Sequence, residues 1–149
     1  MLSTYKEDCL VEAFLPGREF CVGILGNESR VLPIIEVRTD KQFYTYNAKH
    51  DHHKELLCPA DISSEKAQQM QDMALMVFEM LGCRDLARVD FKLDEAEQPA
   101  FLEINPLPGL SPYYSIYPAQ AAAAGISYEE LIGEIVEVAL KRCFDRKRV

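Results

Sequence analysis

Four residues in the middle of the chain carry the types and spacing that chemistry needs: Arg88, Asp90, Glu103 and Asn105. They fall in two runs of strand formers, Leu86 to Leu93 and Ala100 to Asn105, separated by the turn-forming residues Asp94 to Pro99, so the segment reads as a hairpin. With Leu93 opposite Ala100, Asp90 stands opposite Glu103 and Arg88 opposite Asn105. Side chains alternate along a strand. Arg88, Asp90, Lys92, Phe101, Glu103 and Asn105 therefore share one face, and Val89, Phe91, Leu93, Ala100, Leu102 and Ile104 share the apolar other. Two carboxylates and an amide oxygen are hard ligands suited to Mg2+, which takes one or two carboxylates and completes its sphere with water and phosphate. Arg88 on the same face can neutralise charge developing on a transferring phosphoryl or acyl group. A solvated acidic face is the plainer reading of the same pattern.

The surrounding chain has to position these groups. Cys9 to Leu15 reads as a strand ending at the Pro16-Gly17 turn; Glu19 to Leu25 and Val31 to Val37 follow as strands of an antiparallel meander. Glu12 and Glu19 are acids at or inside these strands. From Arg38 to Pro59 no period survives, so the segment reads as a long loop with a short strand near Phe43, and its aromatic content favours a lid. Lys49 on this loop can reach a phosphate. All three histidines of the chain, His50, His52 and His53, lie here with Cys58 nearby, but their spacing matches no structural zinc site.

Ser63 to Gly82 reads as a helix with Ser63 as N-cap, a stripe of Ala67, Met70, Met73, Ala74, Val77 and Leu81, and Gly82 as its stop. After the hairpin, Asn105 to Ser115 contains Pro106, Pro108, Pro112 and Gly109 and reads as a stiff, shaped loop. A short helix from about Pro118 to Ala124 follows. The last helix opens on a capping box, Ser127 with Glu130, and Ile126 staples onto Leu131. Leu131, Ile135, Val138 and Ala139 form its packing stripe. Lys141, Arg142, Arg146, Lys147 and Arg148 suit the negative end of its dipole.

Composition bounds the function. The 149 residues suit one domain, and the apolar content of 48% is ordinary for a globular chain. A net charge of -8 argues against nucleic-acid partners, which need a basic surface, while leaving room for a local phosphate site. The five cysteines are scattered and odd in number, which reads as buried reduced thiols of a cytoplasmic protein. No apolar run has the length of a membrane span and no signal peptide is seen at the start.

Taken in order, these residues resemble the ATP-grasp enzymes. Arg88-Val89-Asp90, Phe101-Leu102-Glu103-Ile104-Asn105 and Pro108-Gly109 resemble their signature, and the nearest likeness is to the carboxy-terminal domain of D-alanine:D-alanine ligase and its D-alanine:D-lactate relatives. Glu12 to Leu15 with Pro16 to Phe20, Phe43 to Lys49, and Leu57 to Ala60 extend the likeness, which runs from about Cys9 to Leu140. The resemblance implies an α+β fold, the ATP-grasp carboxy-terminal subdomain, with a largely antiparallel sheet packed by helices. It implies ATP as nucleotide, with Glu12, Ala13 and Leu15 at the adenine, Glu19 at the ribose, Phe43 beside the base and Lys49 at the terminal phosphates. Asp90, Glu103 and Asn105 would hold two Mg2+ ions. Arg88 and the backbone N-H of Gly109 would stabilise a tetrahedral oxyanion, and Ser115 would bind the carboxylate of a second, amino-acid-like or hydroxy-acid substrate.

The chain departs from that pattern in four ways. Enzymes of this type are about twice as long, and the domain for the first substrate and the lysines that close over ATP would lie on an N-terminal half or a partner chain; a homodimer is compatible with this. His50 follows Lys49 where a tyrosine is expected of D-alanine:D-alanine enzymes, which leaves the acceptor open. The path from Gly109 to Ser115 is one residue longer than expected of the family, so that Tyr114 competes with Ser115 for its position. Lys92 stands where an apolar neighbour of the nucleotide is expected, and its charge would serve a phosphate instead. Against ligation stands a second expectation, a truncated remnant acting as an interaction or nucleotide-binding module.

Overall fold

In a computed structural model of the chain, residues 6, 8–38 and 55–146 are described. Six strands form one sheet: β1 (Glu19–Leu25), β2 (Arg30–Val31), β3 (Ile35–Arg38), β4 (Glu55–Leu57), β5 (Leu86–Leu93) and β6 (Pro99–Asn105). Three helices accompany it among the described residues: α1 (Ser64–Met80), α2 (Ile116–Ala123) and α3 (Tyr128–Arg146). The strand order is β4-β3-β1-β5-β6 with β2 on β1, and the strand pairs are antiparallel. The expected α+β architecture, a largely antiparallel sheet packed by helices, is what the chain adopts.

Alternation along the two central strands decides which face does what. Phe20, Val22 and Ile24 of β1 and Ala87, Val89, Phe91 and Leu93 of β5 are fully buried against α1, which contributes Met70, Ala74 and Phe78. Each of the larger of these side chains gains about 1.5–3 kcal/mol by leaving water, so this layer fixes the register of the sheet. On the opposite face, α2 covers only one end. Gln120 donates from Nε2 to the carbonyls of Cys21 and Pro33 at 2.9 and 3.0 Å, and the Tyr117 hydroxyl donates to the Ile24 carbonyl at 2.7 Å. Leu131 of α3 closes that end with Leu25, Leu32 and Leu86. Among the described residues, no helix covers the face toward Glu19 and Lys92.

Several local expectations are corrected. Cys9 to Leu15 is not a strand: the segment is irregular, with Leu10, Val11 and Phe14 exposed. The Gly17 N-H then donates to the Leu93 carbonyl at 3.0 Å. Val31 to Val37 is broken into β2 and β3 because Pro33 has no N-H to give a ladder. Within the expected long loop, Glu55 to Leu57 pairs with β3 as an edge strand. Phe43 and the rest of 39–54 lie outside the described residues. Ser63 caps α1 as expected, its Oγ accepting from Lys66 N-H at 3.3 Å, and Gly82 follows the helix with φ +64°, the left-handed stop. Leu81, expected on the buried stripe, is exposed at the cap, and Phe78 takes the buried place. The second helix begins two residues earlier than Pro118, with Ser115 at its N-cap position. Cys9 and Cys143 are exposed rather than buried, and the five thiols are free.

Candidate nucleotide and metal site

The uncovered half of the sheet floor is a cleft of about 1010 Å³. Its floor is the second face of β5, where Arg88, Asp90 and Lys92 alternate with the buried apolar residues. β6 supplies one wall. Asp90 stands opposite Glu103 and Arg88 opposite Asn105, as the spacing predicts, but a bulge follows: Phe91 pairs with Phe101 and Leu93 with Pro99. Leu102 is the extra residue. The bulge takes Leu102 out of the apolar layer, where it was expected, and leaves it exposed on the cleft wall beside Phe101 and Glu103. Ile104 remains against the core.

Most of the residues singled out in the sequence meet here. Glu12, Ala13, Leu15, Glu19, Arg88, Asp90, Glu103, Gly109 and Ser115 all line this cleft. Asn105 does not. It is half-buried at the end of β6, and its Oδ1 accepts from the Leu107 N-H at 3.1 Å. Phe43 and Lys49 lie outside the described residues. Tyr114 lines the cleft with Ser115, so both remain candidates for the second-substrate position.

The electrostatics centre on Asp90. Arg88 donates from Nε to Oδ1 and from Nη2 to Oδ2, each at 2.7 Å, a bidentate pair with both side chains largely buried. Burial alone would lower the Arg88 guanidinium, but its hydrogen bonds to Asp90 and the Asp90 charge outweigh this and raise it above its ordinary value. Cys21, directly across β1 from Asp90, is a cleft residue that spacing did not single out. Burial pushes its thiol well above the usual range, with Asp90 adding to the effect, so it is a neutral floor group and not a nucleophile. Phe14 and Ile116 were missed for the same reason: an apolar side chain carries no chemical signal in a sequence.

Gly109 and Ser115 are tied to each other. A Cβ built at Gly109 would stand 2.8 Å from the Ser115 Oγ, and that oxygen accepts from the Ser111 N-H at 3.1 Å. The hydroxyl thus shapes the 109–115 loop from inside while lining the cleft. Among the described residues no three of His, Cys, Asp or Glu gather to hold a metal. Two facing carboxylates fit the more open demand of Mg2+, whose remaining ligands are water and phosphate.

The matched family is described as D-ala D-ala ligase C-terminus, and its model covers residues 1–137. The chain belongs to this family. The D-alanine--D-alanine ligase of Pelotomaculum thermopropionicum is 39% identical over 150 residues, spanning 97% of this chain and 46% of that protein. The D-alanine--D-alanine ligase of Sphingopyxis alaskensis is 42% identical over 135 residues, spanning 88% of this chain and 43% of that one. Among solved structures, the D-alanine--D-alanine ligase of Bacillus anthracis complexed with ATP superposes with a TM-score of 0.74 at 26% identity, covering 89% of this chain and 41% of that one. These ligases are ATP-grasp proteins, and the fold expected from the resemblance is theirs. The chain spans less than half the length of the relatives it matches. Among the described residues no helix is long and apolar enough to cross a membrane.

Proposed function

We propose that this chain is the nucleotide- and metal-binding half of a cytoplasmic ATP-dependent ligase of the D-alanine:D-alanine type. The single observation that carries this is the convergence of Glu12, Glu19, Arg88, Asp90, Glu103, Gly109 and Ser115 on one cleft in a member of this family. The reaction is activation of a carboxylate by ATP as an acyl phosphate, which an amine or hydroxyl acceptor then attacks, releasing ADP and phosphate. Glu12 and the backbone around Ala13 and Leu15 receive the adenine, and Glu19 the ribose hydroxyls. For Phe43 and Lys49, which lie outside the described residues, the family resemblance implies roles at the base and at the terminal phosphates. Asp90, Glu103 and Asn105 would hold two Mg2+ ions, whose charge offsets that of the phosphates. Arg88 and the Gly109 N-H face the oxygen that becomes negative when the acceptor attacks, where fixed donors act without reorganisation. Ser115 orients the acceptor carboxylate.

The first substrate and the opposite side of the nucleotide are served by an N-terminal half or partner chain. Half a cleft encloses a ligand poorly and binds it weakly, so the chain alone is expected to turn over no faster than background. Phosphate release from ATP with D-alanine, compared with a Glu103→Ala control, tests this; ligation well above that control would overturn the requirement for the other half.

A second reading is a non-catalytic remnant that keeps the fold as an interaction module. It predicts no Mg2+-dependent nucleotide binding by calorimetry and indifference to substitution at Asp90.

A further inference from the structure

The cleft face of β5 carries three charges at two-residue intervals, Arg88, Asp90 and Lys92. The first two satisfy one another. Lys92 takes no part in that pair. It is half-buried on the cleft floor, and among the described residues its recorded contact is with the Phe14 ring, Nζ lying 5.6 Å from the centroid. More than half of Phe14 is exposed, and a cation over an exposed ring is weakly held. An ammonium drawn partly out of water over an apolar ring is a charge that a bound anion would satisfy.

The register says which anion. Lys92 stands directly opposite Glu19, and Asp90 directly opposite Cys21. One two-residue step of about 6.6 Å along β5 therefore separates Lys92, beside the acid read as the ribose ligand, from Asp90, read as a metal ligand. A nucleotide with its sugar at Glu19 and its terminal phosphates at Asp90 and Glu103 crosses from β1 toward β6, starting at the level of Lys92. The group next to that sugar which a lysine ammonium can satisfy is the phosphate attached to the ribose. We infer that Lys92 binds the ribose-proximal phosphate of the nucleotide, giving up its contact with Phe14 to do so. This rests on the proposed nucleotide cleft and names a cation of this chain that the ligase reading did not need.

Titrating adenosine, AMP and Mg2+-ADP into the full chain, followed by NMR at millimolar ligand, tests it with Lys92→Met and Lys92→Arg. Methionine keeps the buried stem and removes the charge. The expected result is a loss of at least about tenfold in affinity for both AMP and ADP, the scale of one charge-assisted hydrogen bond. Adenosine binding stays unchanged and arginine retains most of the nucleotide affinity. Equal weakening of adenosine would overturn the inference, because the contact would then be to the nucleoside. Weakening of ADP with AMP unaffected would overturn it too, placing the charge on a distal phosphate. Nucleotide binding indifferent to Lys92→Met would overturn the inference alone, whereas a wild-type chain that binds no nucleotide would overturn the cleft reading on which it stands.

Discussion

Arg88 and Asp90 sit on the same strand face one alternation apart and close a two-point ion pair, both N···O distances 2.7 Å, while Glu103, directly across from Asp90, is exposed. The two proposed metal carboxylates therefore differ in what they do for the fold. Removing one partner of a largely buried pair leaves the other charge unpaired, at a cost of about 3–5 kcal/mol. Asp90→Ala is expected to lower unfolding free energy by roughly 3 kcal/mol, whereas Glu103→Ala should stay within about 0.5 kcal/mol. Mg2+-dependent nucleotide binding should fall in both. Urea titration beside calorimetry separates the two effects; equal destabilisation by the two variants would show the pair to be unimportant for folding.

Gly17 is held where no side chain fits. Its N-H donates to the Leu93 carbonyl, and a Cβ there would stand 2.6 Å from both the Leu93 oxygen and its Cβ. The obstruction is backbone, so neither partner can swing aside. Gly17→Ala is expected to cost about 2–3 kcal/mol, the upper range for overpacking, and to loosen the entry into β1 that sets Glu12 to Leu15 against the cleft. Thermal melts give the first number and amide exchange at Gly17 and Leu93 the second. An unchanged melting temperature would contradict the close approach.

Much of this was legible in the residues, and the exceptions have physical causes. The β5 face followed from period-two alternation, because one face had to be buried, while the expected pairing of Asp90 with Glu103 holds even though Leu93 meets Pro99 and not Ala100. The bulge at Leu102 was not legible: its cost and benefit depend on how Phe101 meets Phe91, ring centroids 6.3 Å apart, a tertiary fact. Cys9 to Leu15 has strand propensity but runs irregularly with Leu10, Val11 and Phe14 exposed, and propensity alone does not make a strand. Pro33 gave a readable warning that 31–37 could not be one central strand. Of the candidate site, charged and polar groups were readable from type and spacing. Cys21, Phe14 and Ile116 entered the cleft through packing alone.

Glu36 gives the fold a dependence on acid. It is buried in β3, accepts from Arg18 Nε and Nη2 at 2.8 and 2.6 Å, and receives a further bond from Arg38. The hydrogen bonds from Arg18 are the largest cause of a carboxyl held at about 2, against an ordinary 4.5. A depressed native value means stability that is complete above about 4.5 and is lost as pH falls from there toward 2. The difference corresponds to about 3 kcal/mol, reduced by the partial exposure of both arginines. Glu36→Gln should flatten the stability profile in that window while lowering stability at pH 7. A profile that keeps its slope without Glu36 would assign the acid sensitivity to other carboxylates.

The loop that leaves β6 offers a separate check on Ser115. Its Oγ accepts the Ser111 N-H inside the turn that opens α2 and lies where a Gly109 side chain would fall. Ser115→Ala removes this acceptor, and the expected loss is about 1 kcal/mol, that of a partly exposed intramolecular hydrogen bond. Ser115→Thr keeps the oxygen and should recover most of it. Gly109→Ala pushes a methyl to within 2.8 Å of the same hydroxyl, so its cost should shrink when Ser115 is already alanine. A double-mutant cycle measures this directly. A coupling energy near zero would mean that the loop holds its shape without the hydroxyl, and Ser115 would then be free to serve only the cleft.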